Sequence, residues 1–427
     1  MKKIIPFWKN LWLLYFFAGS LLALTVSNVM KSSWSGDDWP NSQTPYWIKW
    51  RYGSVSPMNI WYEAQYWNNQ WMQGQGRFYV VSWIESRFAF SYFRELWQYK
   101  LLEAAVLFAA GALFVLLIYK LSRSHSLALL TLISISITIQ FRRDFDPHIA
   151  FVFMVPSLLV KVFLSSILAY HASKARELRK GILYSIFAGI FLFIAMSTYE
   201  YAFLLFPIIL VSFFIGISHS RETLEDGVIQ DSTDGMKMRL ALRLSPIVAS
   251  WLGYGIYVFG FLRTKAAAIS GAYVLGLSSK SIPTFFSQLV PPWPLTVLKM
   301  SDFTALTTSW SLIIFAFATA LLGTFFLYGL FVNSFSAESF GHLQYVKERK
   351  YLLIALLLIS ADLILSPAFM LSIQREWWGR ANITHSYLGI LIGEFGSALL
   401  LSLFVSLSLN KNLKLVSSRV LKRGRKK

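Results

Sequence analysis

The sequence predicts an all-α polytopic membrane protein with about ten transmembrane helices. Three observations predict this class: of 427 residues 56% are hydrophobic, only 14% are charged, and the mean hydropathy is +0.52. A soluble globular chain carries about 25% charged residues, and a helix needs about 20 mainly apolar residues to cross the hydrocarbon core. Apolar runs of that length recur along the chain, so we expect one membrane domain covering residues 1–427.

The apolar runs define ten predicted spans. They lie near residues 10–30, 101–119, 126–141, 149–170, 181–198, 200–218, 244–262, 304–332, 351–372 and 387–409. The run at 126–141 is short for a full crossing, whereas the run at 304–332 is long enough to tilt in the bilayer.

The distribution of basic residues predicts the orientation, because cytoplasmic connections are enriched in Lys and Arg. If the N-terminus is cytoplasmic and the spans alternate, the cytoplasmic segments hold 24 of the 40 basic residues and the outer segments hold 15. We therefore expect both termini in the cytoplasm, including the basic tail at 411–427. The net charge of +19 then reflects topology and contact with anionic lipid, and not nucleic-acid binding. With no cysteine, disulfides, thiol catalysis and thiolate metal sites are excluded.

Two of the predicted outer segments are long, residues 31–100 and residues 263–303. The first contains nine of the sixteen tryptophans, and Trp favours the headgroup level of a bilayer. Residues 58–72 within it predict a helix lying in the membrane interface. We expect this first outer loop to cover the outer mouth of the helix bundle.

Several polar groups fall on the predicted outer face. Asp37 and Asp38 follow the first span, and Arg77 follows Gly74 and Gly76, whose missing side chains would let the backbone approach a ligand closely. The other candidates lie in or beside later connections: Asp146, His148, Glu200, Arg375, Arg380 and Tyr387. Ionisable groups held near the bilayer are costly unless they are paired or face a watery cavity. Their convergence on one face predicts a functional site.

Each of these groups also has a purely structural interpretation. Asp37 and Asp38 could form a helix-exit turn, and Asp146-Pro147-His148 could begin a helix, with Pro at its first position. Glu200 could mark the gap between two spans, and the arginines could be interfacial anchors. Three charges inside predicted spans, Lys161, Asp362 and Glu394, are expected to be paired, because an unpaired charge there is expensive. The pair that we expect is Lys161 with Asp362.

The layout resembles the GT-C superfamily of integral-membrane glycosyltransferases. The shared features are the acidic pair after the first span, the large Trp-rich first loop containing Gly76-Arg77, and Thr384-His385-Ser386-Tyr387 at the start of the last span. The combination is most similar to bacterial enzymes that use polyprenyl-phosphate sugars, such as serotype-converting glucosyltransferases. The resemblance implies transfer of a sugar from a polyprenyl-phosphate donor to a cell-envelope glycan or polymer acceptor. The reaction would be an inverting direct displacement on the outer face of the cell membrane.

The resemblance also implies roles for the candidate residues. Asp37 or Asp38 would be the base, and Arg77, Arg375 or Arg380 would neutralise the phosphate. The other four, Asp146, His148, Glu200 and Tyr387, would contact the sugar or tune the base. No cofactor and no metal are assigned, although an acidic pair could hold a divalent cation. Two alternatives stay open: a transporter or flippase for lipid-linked glycans, and a glycan polymerase or ligase.

Overall fold

The computed structural model describes residues 11–34, 36–139, 141, 148, 150, 153–224, 233–270, 275–289, 350–378 and 389–424. Within these ranges all regular secondary structure is helical, apart from an isolated antiparallel bridge between Leu275 and Gln374. The predicted all-α class is therefore confirmed.

The helices are numbered α1 to α16 in chain order. The first part of the described chain contains α1 (Leu11–Val26, continued by a 3₁₀ turn, Ser27–Lys31), α2 (Asp38–Asn41), α3 (Thr44–Tyr52), α4 (Pro57–Gln75) and α5 (Val80–Tyr92). The bundle follows with α6 (Leu96–Ser122), α7 (His125–Thr138), α8 (Pro156–Lys174), α9 (Leu178–Thr198), α10 (Tyr201–Leu204) and α11 (Phe206–Leu224). The remaining helices are α12 (Thr233–Gly255, continued by a π-helical segment, Ile256–Leu262), α13 (Arg263–Ser270), α14 (Ser281–Leu289), α15 (Lys350–Ser372) and α16 (Ile390–Gly424).

Seven helical segments of the described chain are long and apolar enough to cross a membrane. They are Leu13–Lys31, Leu96–Ser122, Leu178–Thr198, Tyr201–Ser220, Lys237–Ala266, Lys350–Ser372 and Ile390–Leu407. Each coincides with a predicted span, so the chain is a multi-pass membrane protein. The predicted count of ten is not confirmed.

The other three predicted spans have separate explanations. At 126–141 the helix is α7, whose 14 residues extend about 21 Å, less than the roughly 30 Å of a hydrocarbon core. At 149–170 the helix is α8, in which Lys161, His171, Lys174 and several serines lower the hydropathy. The predicted span at 304–332 lies outside the described residues.

The bundle has two recognisable ends. At one end, Arg123 after α6 donates a hydrogen bond to the His219 carbonyl on α11, at 3.3 Å. Arg243 on α12 donates to the Ser173 carbonyl on α8, also at 3.3 Å. The ends of α6, α8 and α11 and the part of α12 around Arg243 therefore lie together. The chain after α1, the start of α6 and the α9–α10 junction lie at the opposite end, which we call the acidic end because it carries Asp37 and Asp38.

The first outer loop folds into packed helices at the acidic end. The predicted helix at 58–72 is confirmed as α4, which begins after Ser56, whose hydroxyl accepts a hydrogen bond from the backbone N–H of Asn59 at 3.2 Å. Trp67 of α4 stacks on Trp83 of α5 with ring centroids 5.7 Å apart. Exposed apolar and aromatic side chains cover the outer surfaces of α3 and α4: Tyr46, Trp47, Trp50, Met58, Trp61, Tyr62 and Tyr66. Their position in a membrane interface stays a prediction.

The predicted pair between Lys161 and Asp362 is wrong. The Lys161 ammonium pairs with the Glu85 carboxylate at 2.8 Å, and donates to the hydroxyls of Ser157 and Thr198. Asp362 accepts a hydrogen bond from Ser366 one turn away, at 2.6 Å. The reason is that α5, from the first outer loop, packs against the bundle and supplies Glu85, a carboxylate outside the predicted spans.

Candidate functional site

A cavity of about 150 Å³ at the acidic end brings three predicted site residues together. Asp37, Asp38 and Arg77 all line it, although Arg77 is separated from the acids by three helices. The remaining lining combines aromatic rings with small polar groups: Trp71, Tyr79, Trp83, Phe90, Tyr99, Phe153, Met154, Asn41, Ser82 and Ser86. We call this space the acidic cavity.

The two acids reach the acidic cavity from a tight turn. Gly36 has φ +54°, a left-handed conformation that favours glycine, and the chain then enters α2 at Asp38. The side chain of Asp37 keeps an exposed face. Packing around the rest of the carboxyl raises the pKa of Asp37 above its ordinary value, because desolvation disfavours the charged form.

Asp38 is held by helix α6. Its side chain is only 3% exposed and lies close to Tyr99 and Glu103 of α6. Glu103 also pairs with the Lys100 ammonium at 2.7 Å, in fully buried surroundings. Tyr99 stacks on Phe90 of α5 with ring centroids 4.4 Å apart. Asp38 therefore joins the turn after α1 to the start of α6.

Arg77 is fixed by a buried carboxylate. Its Nε donates to Glu200 Oε1 at 3.0 Å, and its Nη2 lies 2.7 Å from the same oxygen. Arg77 is 4% exposed and Glu200 1%. The guanidinium also lies 4.5 Å from the ring centre of Tyr79, a favourable cation–π distance. The predicted residue Glu200 thus acts here on Arg77 and does not itself line the acidic cavity.

Gly76 is required by the packing of two helices. It ends α4 with φ +64°, and a Cβ atom added to it would lie 2.7 Å from the Cα of Arg263. The close approach that the sequence suggested is therefore an approach to the start of α13, and not to a ligand. Gly74, by contrast, has no atom within 4 Å of the position that a Cβ atom would take.

Five other predicted site residues do not line the acidic cavity in the described structure. Two of them are described and lie elsewhere, and three lie outside the described residues. His148 is buried against Glu394 of α16, with Nε2 2.6 Å from Oε2. Arg375 is exposed in a 3₁₀ turn and packs against Gly276. Asp146, Arg380 and Tyr387 lie outside the described residues.

Two buried arginines near the cavity were missed by the sequence reasoning. Arg263, 7% exposed, pairs with the same Glu200 oxygen as Arg77. Arg87, 5% exposed, donates to Asn41 at 3.0 Å and to Thr44 at 2.6 Å. Burial lowers the pKa of Arg87 to about 10, so this guanidinium remains charged at neutral pH. Arg263 directly follows an apolar run, at the start of the second long outer loop. This position at the end of a predicted span is the one sequence feature that could have marked Arg263 as a site candidate.

The arrangement can support acid–base chemistry next to a cation. Asp37 has access to the cavity and a raised pKa, which suits a group that exchanges a proton. Arg77 supplies positive charge on the same cavity wall. In the part of the chain that the structure describes, no group of three or more His, Cys, Asp or Glu side chains is arranged to hold a metal ion.

Comparison with known proteins adds no family assignment. No protein-family model, curated protein or solved structure matches this chain. The functional argument therefore depends on the chemistry of the acidic cavity.

Proposed function

We propose that this protein is a membrane glycosyltransferase that acts on the outer face of the cell membrane. It moves a sugar from a polyprenyl-phosphate donor to a cell-envelope glycan or polymer acceptor. The observation that supports this proposal is the meeting of Asp37, Asp38 and Arg77 in one cavity at the end of a bundle of apolar helices. A lipid-linked donor would present its phosphate and sugar at that level.

The reaction is a single displacement. The acceptor hydroxyl oxygen attacks the anomeric carbon, the bond from that carbon to the phosphate oxygen breaks, and polyprenyl phosphate leaves with the electron pair. The hydroxyl proton passes to a carboxylate, for which the accessible Asp37 is better suited than the buried Asp38. Arg77 faces the charge that develops on the phosphate. One base is sufficient, so the configuration at the anomeric carbon inverts.

The size and lining of the acidic cavity suit a single sugar. Its volume of about 150 Å³ is well below the roughly 300–1,000 Å³ of clefts for drug-sized ligands. The aromatic rings can cover the apolar face of a sugar, while Asn41, Ser82 and Ser86 can bond to hydroxyl groups. A long glycan would have to approach from outside this space.

The position of the acidic cavity favours an enzyme over a transporter or flippase. Transporter sites lie near the bilayer midplane, between repeated halves. This cavity is lined by the residues after α1, by α5 and by the beginning of α6, and therefore lies at one end of the bundle. A polymerase or ligase could use Arg77 without a base. Substitution of Asp37 and Asp38 therefore distinguishes the two functions, because only the proposed transferase would lose activity.

The test is transfer of sugar by Asp37→Asn and Asp38→Asn in purified protein. We expect wild-type protein to transfer label from at least one of a panel of radiolabelled polyprenyl-phosphate hexoses to cell-envelope acceptor. Asp37→Asn should reduce the rate by about 10²–10⁴-fold, the usual contribution of a general base. Asp38→Asn should also reduce it, because the buried Asp38 side chain packs against the start of α6.

Asp362→Asn is the matched control, because that carboxylate is bonded to Ser366 on α15 and does not line the cavity. Its transfer rate should stay near wild type. Absence of transfer from every donor, or wild-type rates for both cavity variants, would contradict the proposed function.

A further inference from the structure

Arg87 of α5 contacts the chain that follows Asp37. It is 5% exposed, and its Nη1 donates to Asn41 Oδ1 at 3.0 Å and to Thr44 Oγ1 at 2.6 Å. A guanidinium carries only donors, so the atom of the Asn41 amide that faces Arg87 must be the oxygen. The contact therefore fixes which way the Asn41 amide is turned.

The nitrogen of the Asn41 amide is left for another partner. Arg87 holds Oδ1, so Nδ2 lies on the other side of the amide group, and no described residue accepts a hydrogen bond from it. Asn41 also lines the acidic cavity. Its two N–H hydrogens are therefore available to a group that binds in that cavity.

Asn41 and Asp37 lie on one face of the same helical turn. The backbone N–H of Asn41 donates to the Asp37 carbonyl at 3.1 Å, and both residues line the acidic cavity. Side chains four residues apart are neighbours on a helix surface. This face therefore offers a carboxylate that accepts hydrogen bonds, on Asp37, beside a nitrogen that only donates, on Asn41.

A second donor in the acidic cavity contacts the same arginine. Trp83 lines the cavity, and its Nε1 is buried without a hydrogen-bond partner among the described residues. The Arg87 guanidinium lies 4.8 Å from the centre of the Trp83 ring, a favourable cation–π distance. A buried donor without a partner costs free energy, so an accepting oxygen bound in the cavity would stabilise this site.

We propose that Asn41 is a specificity-determining residue, which donates a hydrogen bond to a hydroxyl oxygen of the sugar in the acidic cavity, and that Arg87 is the residue that positions it. This inference rests on the proposed function and names a contact with the sugar itself. The ligand is a neutral sugar with a hydroxyl group at the position that faces Asn41. An ammonium group at that position would bring donor against donor.

The experiment measures binding of free sugars, without a lipid, to the full-length protein in detergent by saturation-transfer NMR titration. The probes are the methyl glycosides of glucose, galactose, mannose and N-acetylglucosamine. For the glycoside that binds most tightly, analogues are then compared in which a single hydroxyl is replaced by hydrogen or by fluorine. Fluorine can accept a weak hydrogen bond but cannot donate one, so each pair of analogues reports the direction of the bond.

At one position of the sugar, the deoxy analogue should bind wild-type protein about three- to tenfold more weakly than its parent. The fluoro analogue at that position should bind more tightly than the deoxy analogue. Asn41→Asp should reverse this order, because a carboxylate can only accept and repels fluorine. The new carboxylate still accepts from Arg87, so the melting temperature should not fall below that of wild type. A purely structural role for Asn41 would leave the order unchanged.

Arg87→Met tests the positioning role. Without the guanidinium, the Asn41 amide can turn either way and present its oxygen or its nitrogen to the sugar. The preference for the fluoro analogue over the deoxy analogue should therefore be lost, and a retained preference would contradict the positioning role of Arg87. Asn41→Asp, which keeps the contact with Arg87, still decides the proposal if Arg87→Met does not fold.

Asn59→Asp is the matched control, because it makes the same substitution on α4. The Asn59 amide donates to the Ser54 carbonyl at 2.8 Å, and Asn59 does not line the acidic cavity. This variant should bind the glycoside and its analogues as wild type does. Binding of none of the four glycosides to wild type, or the wild-type order of analogues in Asn41→Asp, would overturn the inference.

The outcomes separate this inference from the proposed function. If wild-type protein transfers no sugar but binds a glycoside with an order of analogues that Asn41→Asp reverses, the sugar contact stands and the transfer proposal fails. If transfer depends on Asp37 while Asn41→Asp keeps the wild-type order, the transfer proposal stands and the sugar contact fails.

Discussion

At the scale of single residues, Asp37 and Asp38 are adjacent in sequence but have different surroundings. Asp37 keeps an exposed face and lines the acidic cavity. Asp38 is buried and lies close to Tyr99 and Glu103. A proton can reach Asp37 from the cavity, whereas a change of charge on Asp38 would disturb the start of α6. In the proposed reaction, Asp37 is therefore the proton acceptor and Asp38 a positioning residue.

The raised pKa of Asp37 predicts the pH dependence of transfer. The base acts as a carboxylate, so activity should be lost as the pH falls through the pKa of Asp37. Burial raises that pKa, so the loss should begin at a higher pH than the ordinary aspartate value of about 3.9 would give. The measurement is the pH–rate profile for kcat.

The residual activity of Asp37→Asn should not show this loss of rate at low pH, which we call the acidic limb of the profile. Asp362→Asn should retain the acidic limb. An identical limb in Asp37→Asn and wild type would assign the titration to another group.

At the scale of helices, α4 and α13 are fixed to each other at one point. Gly76 ends α4 in a left-handed conformation, directly against the backbone of Arg263. The next residue is Arg77, which shares Glu200 with Arg263. The packing of the two helices therefore sets the distance between the two guanidiniums.

We predict that Gly76→Ala destabilises the protein and slows the proposed sugar transfer together, because the next residue, Arg77, lines the acidic cavity. A left-handed conformation costs a non-glycine residue about 1–2 kcal/mol, and the added methyl group would collide with backbone that cannot move aside alone. The melting temperature in detergent and the rate of sugar transfer should both fall.

Gly74→Ala is the matched control for that substitution. Gly74 lies inside α4 with open space around it, and alanine is favoured over glycine in a helix interior by about 1 kcal/mol. The variant should be as stable as wild type or slightly more stable. A similar loss of stability in both variants would show that the contact with Arg263 is not the cause.

At the scale of the whole molecule, the two ends of the bundle should face opposite sides of the membrane. The basic connections collect at one end, where Arg123 and Arg243 bond to neighbouring helices. The positive-inside rule then predicts that the acidic cavity faces the outside. Topology reporters inserted at residue 230 and at residue 70 should report the cytoplasm and the exterior, respectively. The same side for both would contradict this orientation.

The sequence predicted those features that depend on composition and position along the chain. The all-α class and seven spans follow from the apolar runs, and helix α4 follows from the interfacial composition of residues 58–72. The predicted outer placement of Asp37, Asp38 and Arg77 made them candidates for a single site. Contacts between distant segments could not be predicted in the same way. Glu85 and Arg263 lie in or beside segments interpreted as loop and span, and only the packing of α5 on the bundle, and of α13 on α4, shows their partners.

The π-helical segment before Arg263 has a consequence for the variation that this gene could tolerate. Each residue of an α-helix turns the next by about 100°. A π-helix turns each residue by less than this, because each of its hydrogen bonds spans one residue more than in an α-helix. The segment Ile256–Leu262 therefore reaches Arg263 in nearly the direction that an α-helix one residue shorter would give. Loss of one residue with a return to α-helical winding should keep Arg263 beside Glu200, whereas loss of a second residue would rotate it by about a further 100°. Changes in length should therefore be tolerated there only up to one residue.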